Sequence, residues 1–112
     1  MSEHHGECHC GRMQLILRET PLEVTECNCS ICRRNAGLWH YCTPDAVTVV
    51  GDGVAYQQGD RAIDLWHCPG CGCTTHWTPT DHAYPRMGVN LRMFDPALWR
   101  DLPHRLVDGA SY

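Results

Sequence analysis

No part of this sequence is apolar for long enough to cross a membrane. Purely aliphatic runs reach about three residues, as in Leu15-Ile16-Leu17, whereas a spanning helix needs ~20. Lysine is missing altogether, and nine arginines face 13 acidic residues, for a formal charge of −4. That balance argues against nucleic acid as a partner, because such binding rests on neutralising phosphates. The opening Met1-Ser2-Glu3-His4-His5 lacks the apolar segment of a secretory leader, so a cytoplasmic location is expected. No linker, repeat or low-complexity tract interrupts the 112 residues, and 1–112 reads as one domain. Aliphatic bulk is scarce too. Hydrophobic residues make up 43%, but nine of them are cysteines, so the core is thin and staples are expected.

The cysteines supply candidates. They form three clusters plus Cys42: Cys8-His9-Cys10, then Cys27-Asn28-Cys29-Ser30-Ile31-Cys32, then Cys68-Pro69-Gly70-Cys71-Gly72-Cys73. An odd number cannot pair off within one chain, and a reducing compartment keeps thiols free. The C-x-C pairs also suit a disulfide poorly. Residues i and i+2 of an extended segment lie roughly 6.6 Å apart with near-parallel Cβ vectors. A tetrahedral zinc with Zn–S of about 2.3 Å spaces its sulfurs by about 3.8 Å, which two same-side thiolates can reach. Metal is therefore preferred to a disulfide framework. The run Cys68 to Gly72 reads as a zinc knuckle, Pro69 and Gly70 making the turn and Gly72 letting backbone amides curl towards the sulfurs.

Counting ligands divides the clusters. Cys8 and Cys10 offer two, Cys68 and Cys71 two more, and Cys27, Cys29 and Cys32 three. Four thiolates close a structural site, whereas three protein ligands with an exchangeable fourth make the arrangement of a catalytic zinc. Spacing alone also allows two closed sites, with Cys42, Cys73 or a histidine as the eighth ligand. Binding two zinc ions through seven thiolates makes the chain more negative still, which again disfavours nucleic acid.

Strand patterns dominate the rest. Arg12–Arg18 places Met13, Leu15 and Leu17 on one face, and Val24–Cys27 delivers the middle cysteines. Ser30 suits the N-cap of a brief helix over 31–36 stopped by Gly37. Strands follow at 37–42, 46–50 and 54–58, with Gly51-Asp52-Gly53 reading as a hairpin turn between the last two. Ile63–Trp77 reads as a hairpin whose tip is metal-capped. Met87–Leu91 is a further strand, 96–99 a helical turn, and 102–107 an edge strand because of Pro103. The expected fold is a mostly β, small zinc-stapled antiparallel domain with little helix.

These motifs in series resemble those of a known family. Gly6-Glu7-Cys8-His9-Cys10-Gly11, Cys27-Asn28-Cys29-Ser30-Ile31-Cys32-Arg33-Arg34 with Gly37, Cys68-x-x-Cys71-Gly72, and Gly88-Val89-Asn90-Leu91-Arg92 with Asp95-Pro96 are similar to the motifs of the glutathione-dependent formaldehyde-activating (Gfa) family. Its relatives include the C-terminal domain of centromere protein V. The resemblance runs from about residue 6 to residue 99. It implies a β-tent fold, a structural zinc on Cys8, Cys10, Cys68 and Cys71, and a second zinc with an open position on Cys27, Cys29 and Cys32. It also implies carbon–sulfur lyase chemistry on adducts of a small thiol such as glutathione with formaldehyde or a related carbonyl.

A zinc on three thiolates is a soft Lewis acid that can hold a further thiolate as a nucleophile. The catalytic candidates are thus Cys27, Cys29 and Cys32. Arg33 and Arg34 could fork onto a substrate carboxylate or only offset thiolate charge. Trp39 and Trp77 could wall a pocket, and His76 or His40 could shuttle a proton; plain packing is the alternative for each. His4 and His5 suit a solvated terminus, and Cys42 and Cys73 suit small buried hydrophobes. Two competing functions remain, a non-catalytic zinc-stabilised interaction module and a metal or thiol buffer.

Overall fold

The computed structural model describes residues 3–57, 59 and 61–111. Met1, Ser2 and Gln58, which entered the sequence reading, lie outside them. Ten strands form two sheets. The smaller contains β1 (His4–Glu7), β2 (Gln14–Leu17) and β5 (Val47–Val50), all antiparallel, with β2 central. Along Met13, Leu15 and Leu17 the expected alternation holds, all three being buried. The larger sheet runs β10-β3-β4-β9-β8-β7-β6 and comprises β3 (Val24–Cys27), β4 (Trp39–Cys42), β6 (Val54–Tyr56), β7 (Ile63–His67), β8 (Thr74–Pro79), β9 (Met87–Asn90) and β10 (His104–Val107). Two one-turn helices, α1 (Cys32–Asn35) and α2 (Pro96–Trp99), and three 3₁₀ turns are the other regular elements among the described residues.

The core lies between the sheets. Leu15, Leu17 and Val47 from the small sheet pack on Val24, Leu38, Cys42, Met87, Val89, Leu91 and Phe94. Cys42 is here a small core hydrophobe, as its isolation in the sequence implies. Among the described residues every β pairing is antiparallel except one: β10 adds parallel to β3, with Val107 beside Cys27. Pro103 precedes this edge strand and its carbonyl accepts from the Val24 N–H (3.0 Å), so the proline costs no ladder bond.

Three local expectations are corrected. The Gly51-Asp52-Gly53 turn does not close a hairpin: β5 pairs with β2, and β6 pairs with β7 in the other sheet. A turn signal marks where a chain bends, and the free edge of β7 decides where it goes. Ser30 does not cap α1. The N-cap is Ile31, with no side-chain cap bond, and the Cys29 sulfur accepts the Cys32 N–H instead (3.4 Å). The helix ends at Ala36 in the left-handed region (φ 56°), not at Gly37, and its carbonyl is held by Arg92 Nε (2.6 Å).

His76 on β8 is buried, stacked on Trp66 (5.9 Å between centroids, 7° between planes) and bonded through Nδ1 to the Thr75 hydroxyl (2.8 Å). Burial pushes its pKa down to about 4. The folded chain therefore keeps a neutral imidazole while the unfolded chain takes up a proton first as pH falls. Stability is whole above about pH 6.5 and drains towards pH 4, by about 2 kcal/mol between pH 7 and pH 5. Urea denaturation at those two pH values should show that loss in the natural chain and not in His76→Gln; equal losses would refute it.

Candidate functional site

Two hairpin tips meet at the first cysteine group. The β1–β2 turn carries Cys8 and Cys10, and the β7–β8 turn carries Cys68 and Cys71. Both turns are built alike. The first cysteine donates its N–H across the turn, Cys8 to the Met13 carbonyl and Cys68 to the Cys73 carbonyl (3.0 Å each), and accepts at its own carbonyl from Gly11 or Gly72 (3.0 and 2.9 Å). Gly11 and Gly72 adopt φ near 80° (82° and 80°), the left-handed curl that turns amides towards sulfur. Met13 N–H reaches Cys8 Sγ and Gly70 N–H reaches Cys68 Sγ, at 3.3 Å each. The Cys73 and Cys10 backbone N–H groups hold Cys71 down to about 5. Such donors favour thiolates, the form a metal binds.

The sulfurs of Cys8, Cys10, Cys68 and Cys71 lie within 4.8 Å of one another. Cys8 Sγ and Cys10 Sγ are 3.7 Å apart, Cys10 Sγ and Cys68 Sγ 3.5 Å. All nine cysteines are free. These separations are far beyond a disulfide bond and close to the edge of a tetrahedron around zinc, about 3.8 Å, so the donor set and spacing fit a metal ion. Because one hairpin belongs to each sheet, an ion here would tie the sheets together. Cys73, Met13 and Met93 pack around it.

Cys27, Cys29 and Cys32 form the second group, again within 4.8 Å. Cys27 ends β3, Cys29 lies in the turn, and Cys32 opens α1. No other histidine, cysteine or carboxylate among the described residues joins either group within that distance, Cys42 and Cys73 included. His40 is bonded to Glu19 (2.7 Å), His4 to Thr20 and His5 to Glu3 (3.0 Å each). Burial pushes Cys32 up, and the neighbouring Cys29 and Cys27 add to it. Three sulfurs this close repel one another as thiolates until a cation joins them.

A cavity of about 450 Å³ adjoins this trio, lined by Cys27, Cys32, Arg33, Arg92 and the segment Leu106–Asp108 among others. Arg33, singled out in the sequence, faces it, and its guanidinium has no partner among the described residues. Arg34 instead turns to the Ser30 carbonyl (2.7 Å). Trp39 is buried (1% exposed) and does not line this cavity; neither does His76. Trp77 packs edge-on against Tyr41.

The far wall comes from the last residues, which the sequence reading did not attach to the site. Asn28 binds the tail three times: its N–H donates to the Val107 carbonyl (3.1 Å), its Nδ2 to Asp108 (2.9 Å), and its Oδ1 accepts from Ala110 N–H (2.9 Å). The Ser111 hydroxyl and Asn28 amide hold the Asp108 carboxyl below its usual range. Only the turn-forming Asp108-Gly109 pair could have flagged this segment. Gly109 packs directly on the Cys27 sulfur, where any Cβ would overlap it. Gly109→Ala should therefore displace Cys27 and weaken metal binding at the trio about 10–100-fold, the usual cost of disturbing a ligand's support, with the four-cysteine group unaffected. Competition with a chromophoric chelator would measure both, and an unchanged second equivalent would refute the contact.

A curated protein of Halomonas elongata, provisionally named a glutathione-dependent formaldehyde-activating enzyme, is 33% identical over 104 residues, covering 88% of this chain and 60% of its own length. The chain thus spans about three-fifths of that relative. A crystal structure of a Rhodobacter sphaeroides protein superposes with a TM-score of 0.71 at 27% identity, covering 89% of this chain and 98% of the other. The family model described as glutathione-dependent formaldehyde-activating enzyme matches residues 3–105, nearly the whole chain, and the chain belongs to that family.

Proposed function

We propose that the protein is a zinc-dependent carbon–sulfur lyase-type enzyme acting on adducts of a small, glutathione-like thiol with formaldehyde or a related carbonyl. Cys8, Cys10, Cys68 and Cys71 would hold a structural zinc; Cys27, Cys29 and Cys32 would hold a second with an exchangeable position. One observation carries this reading: three free thiols, with no fourth protein ligand among the described residues, open beside a cavity of about 450 Å³. A zinc held by Cys27, Cys29 and Cys32 would supply a soft Lewis acid that lowers the pKa of a bound thiol.

The chain's own residues do the rest. Arg33 offers a forked donor to a carboxylate of the incoming thiol and orients it. Leu106 and Val107 form one apolar wall of the cavity in which the thiol would lie. In the synthetic direction the sulfur attacks the carbonyl carbon, a C–S bond forms, and the thiol's proton ends on the former carbonyl oxygen as an S-hydroxymethyl adduct. The reverse breaks that C–S bond. Zinc content by mass spectrometry should reach two per chain. Catalytic amounts of protein should then speed the approach of glutathione and ¹³C-formaldehyde to their adduct, followed by NMR. Two tightly held zincs that leave the rate unchanged would overturn the proposal.

A further inference from the structure

We infer that Arg92 is a specificity-determining residue of the three-cysteine cavity, and that with Arg33 it selects a thiol carrying two carboxylates. The inference rests on the proposed binding of a small thiol beside Cys27, Cys29 and Cys32. Arg92 lines that cavity together with Cys27, Cys32 and Arg33. It is exposed at the surface, yet it is held at both ends.

Its backbone N–H donates to Oδ1 of Asn90 (3.2 Å). That buried side chain also accepts the Leu38 N–H (3.2 Å) and donates from Nδ2 to the Thr74 carbonyl (2.8 Å). Farther out, Arg92 Nε donates to the Ala36 carbonyl (2.6 Å), and the guanidinium carbon lies 5.5 Å from the centroid of the Trp99 ring. The Nη1–Nη2 end of the fork takes no part in these bonds and has no partner among the described residues. A guanidinium fixed before its ligand arrives loses less freedom on binding, and its paired N–H groups match a carboxylate.

The acids at the cavity do not take this fork. Glu26 Oε1 is bonded to His104 Nδ1 (2.8 Å), and the Asp108 carboxyl takes the Asn28 amide (2.9 Å) and the Ser111 hydroxyl (2.6 Å). The two unpaired cations are anchored at opposite ends of α1. Arg33 directly follows Cys32, and Arg92 is fixed at Ala36, about 5 Å further along at ~1.5 Å per helical residue. Two forks so anchored suit two carboxylates of one ligand whose sulfur lies at the trio. A residue that only capped α1 would need the Nε bond alone, and a glutamine amide, which stands where Nε does, would supply it.

Calorimetric titration of the zinc-loaded chain with glutathione, without formaldehyde, gives the test. Arg92→Gln keeps a donor for the Ala36 carbonyl, removes the fork, and should weaken glutathione about 10–100-fold, the loss of a charge-assisted pair. Arg33→Gln should do the same. Masking either carboxylate of glutathione as its monoester should cost the natural chain a similar factor, so the test stands even if a variant fails to fold. Each monoester should then be indifferent to one of the two substitutions and sensitive to the other. Arg92→Gln binding glutathione like the natural chain, or weakening both monoesters alike, would overturn the role of Arg92. Both variants indifferent to the same monoester would mean one shared carboxylate and would overturn the selection of two. A natural chain that binds no glutathione would overturn the thiol reading together with this inference. The expected pattern without catalysed adduct formation would uphold the inference and overturn only the lyase reading.

Discussion

Cys68→Ser is expected to leave a chain that does not fold at neutral pH. Cys68 is fully buried at the junction of the two hairpin tips, and its sulfur lies 3.5 Å from that of Cys10 in the other sheet. A structural zinc contributes about 10–16 kcal/mol in small metal-bound domains, whereas a whole domain is net stable by about 5–15 kcal/mol. Losing one ligand of four removes a share comparable with the entire margin. The aliphatic core cannot compensate, since the small sheet contributes Leu15, Leu17 and Val47 to it, with Val49 partly buried beside them. Circular dichroism should show loss of the cooperative melt in the variant, and a strong chelator should produce the same loss in the natural chain. A variant melting within a few degrees of the natural chain would show that the sheets cohere without this group.

Cys29→Ser should behave in the opposite manner, folding normally and losing activity. Cys29 sits in a turn, joins no core cluster, and contributes to the fold chiefly by accepting the Cys32 N–H (3.4 Å), which a serine oxygen can also accept. Changes outside the ligand shell already cost about 10–100-fold in affinity or activity, so loss of a direct ligand should lower adduct formation by about 100-fold or more. The melting transition should persist, with one zinc retained per chain. Cys29→Ser failing to fold, as Cys68→Ser does, would mean that both groups only hold the structure together and would favour an interaction module.

The grouping of the seven cysteines was legible because each cluster is local: two or three cysteines within six residues share one turn, and turn chemistry is written in neighbouring residues. The buried alternation of Met13, Leu15 and Leu17 was legible for the same reason. Features that depend on distant partners were not. Nothing near Val54 says that β6 will take the edge of β7, and nothing near Asn28 announces a carboxylate 80 residues away. The failed Ser30 cap is instructive. Serine is a good acceptor for a helix's first amides, but a sulfur one residue earlier occupied that role, and helix rules that omit thiolate acceptors miss it.

The parallel pairing of β10 with β3 also sets an order of assembly during synthesis. The four-cysteine junction can close as soon as Cys71 has left the ribosome, whereas the trio has no outer wall until residues 104–111 follow. At translation speeds of about 5–20 residues per second, that interval lasts seconds. During it the nascent chain presents three neighbouring thiols without the wall that Val107, Asp108 and Gly109 later supply, so a competing metal or an oxidant can reach them more freely than in the folded chain.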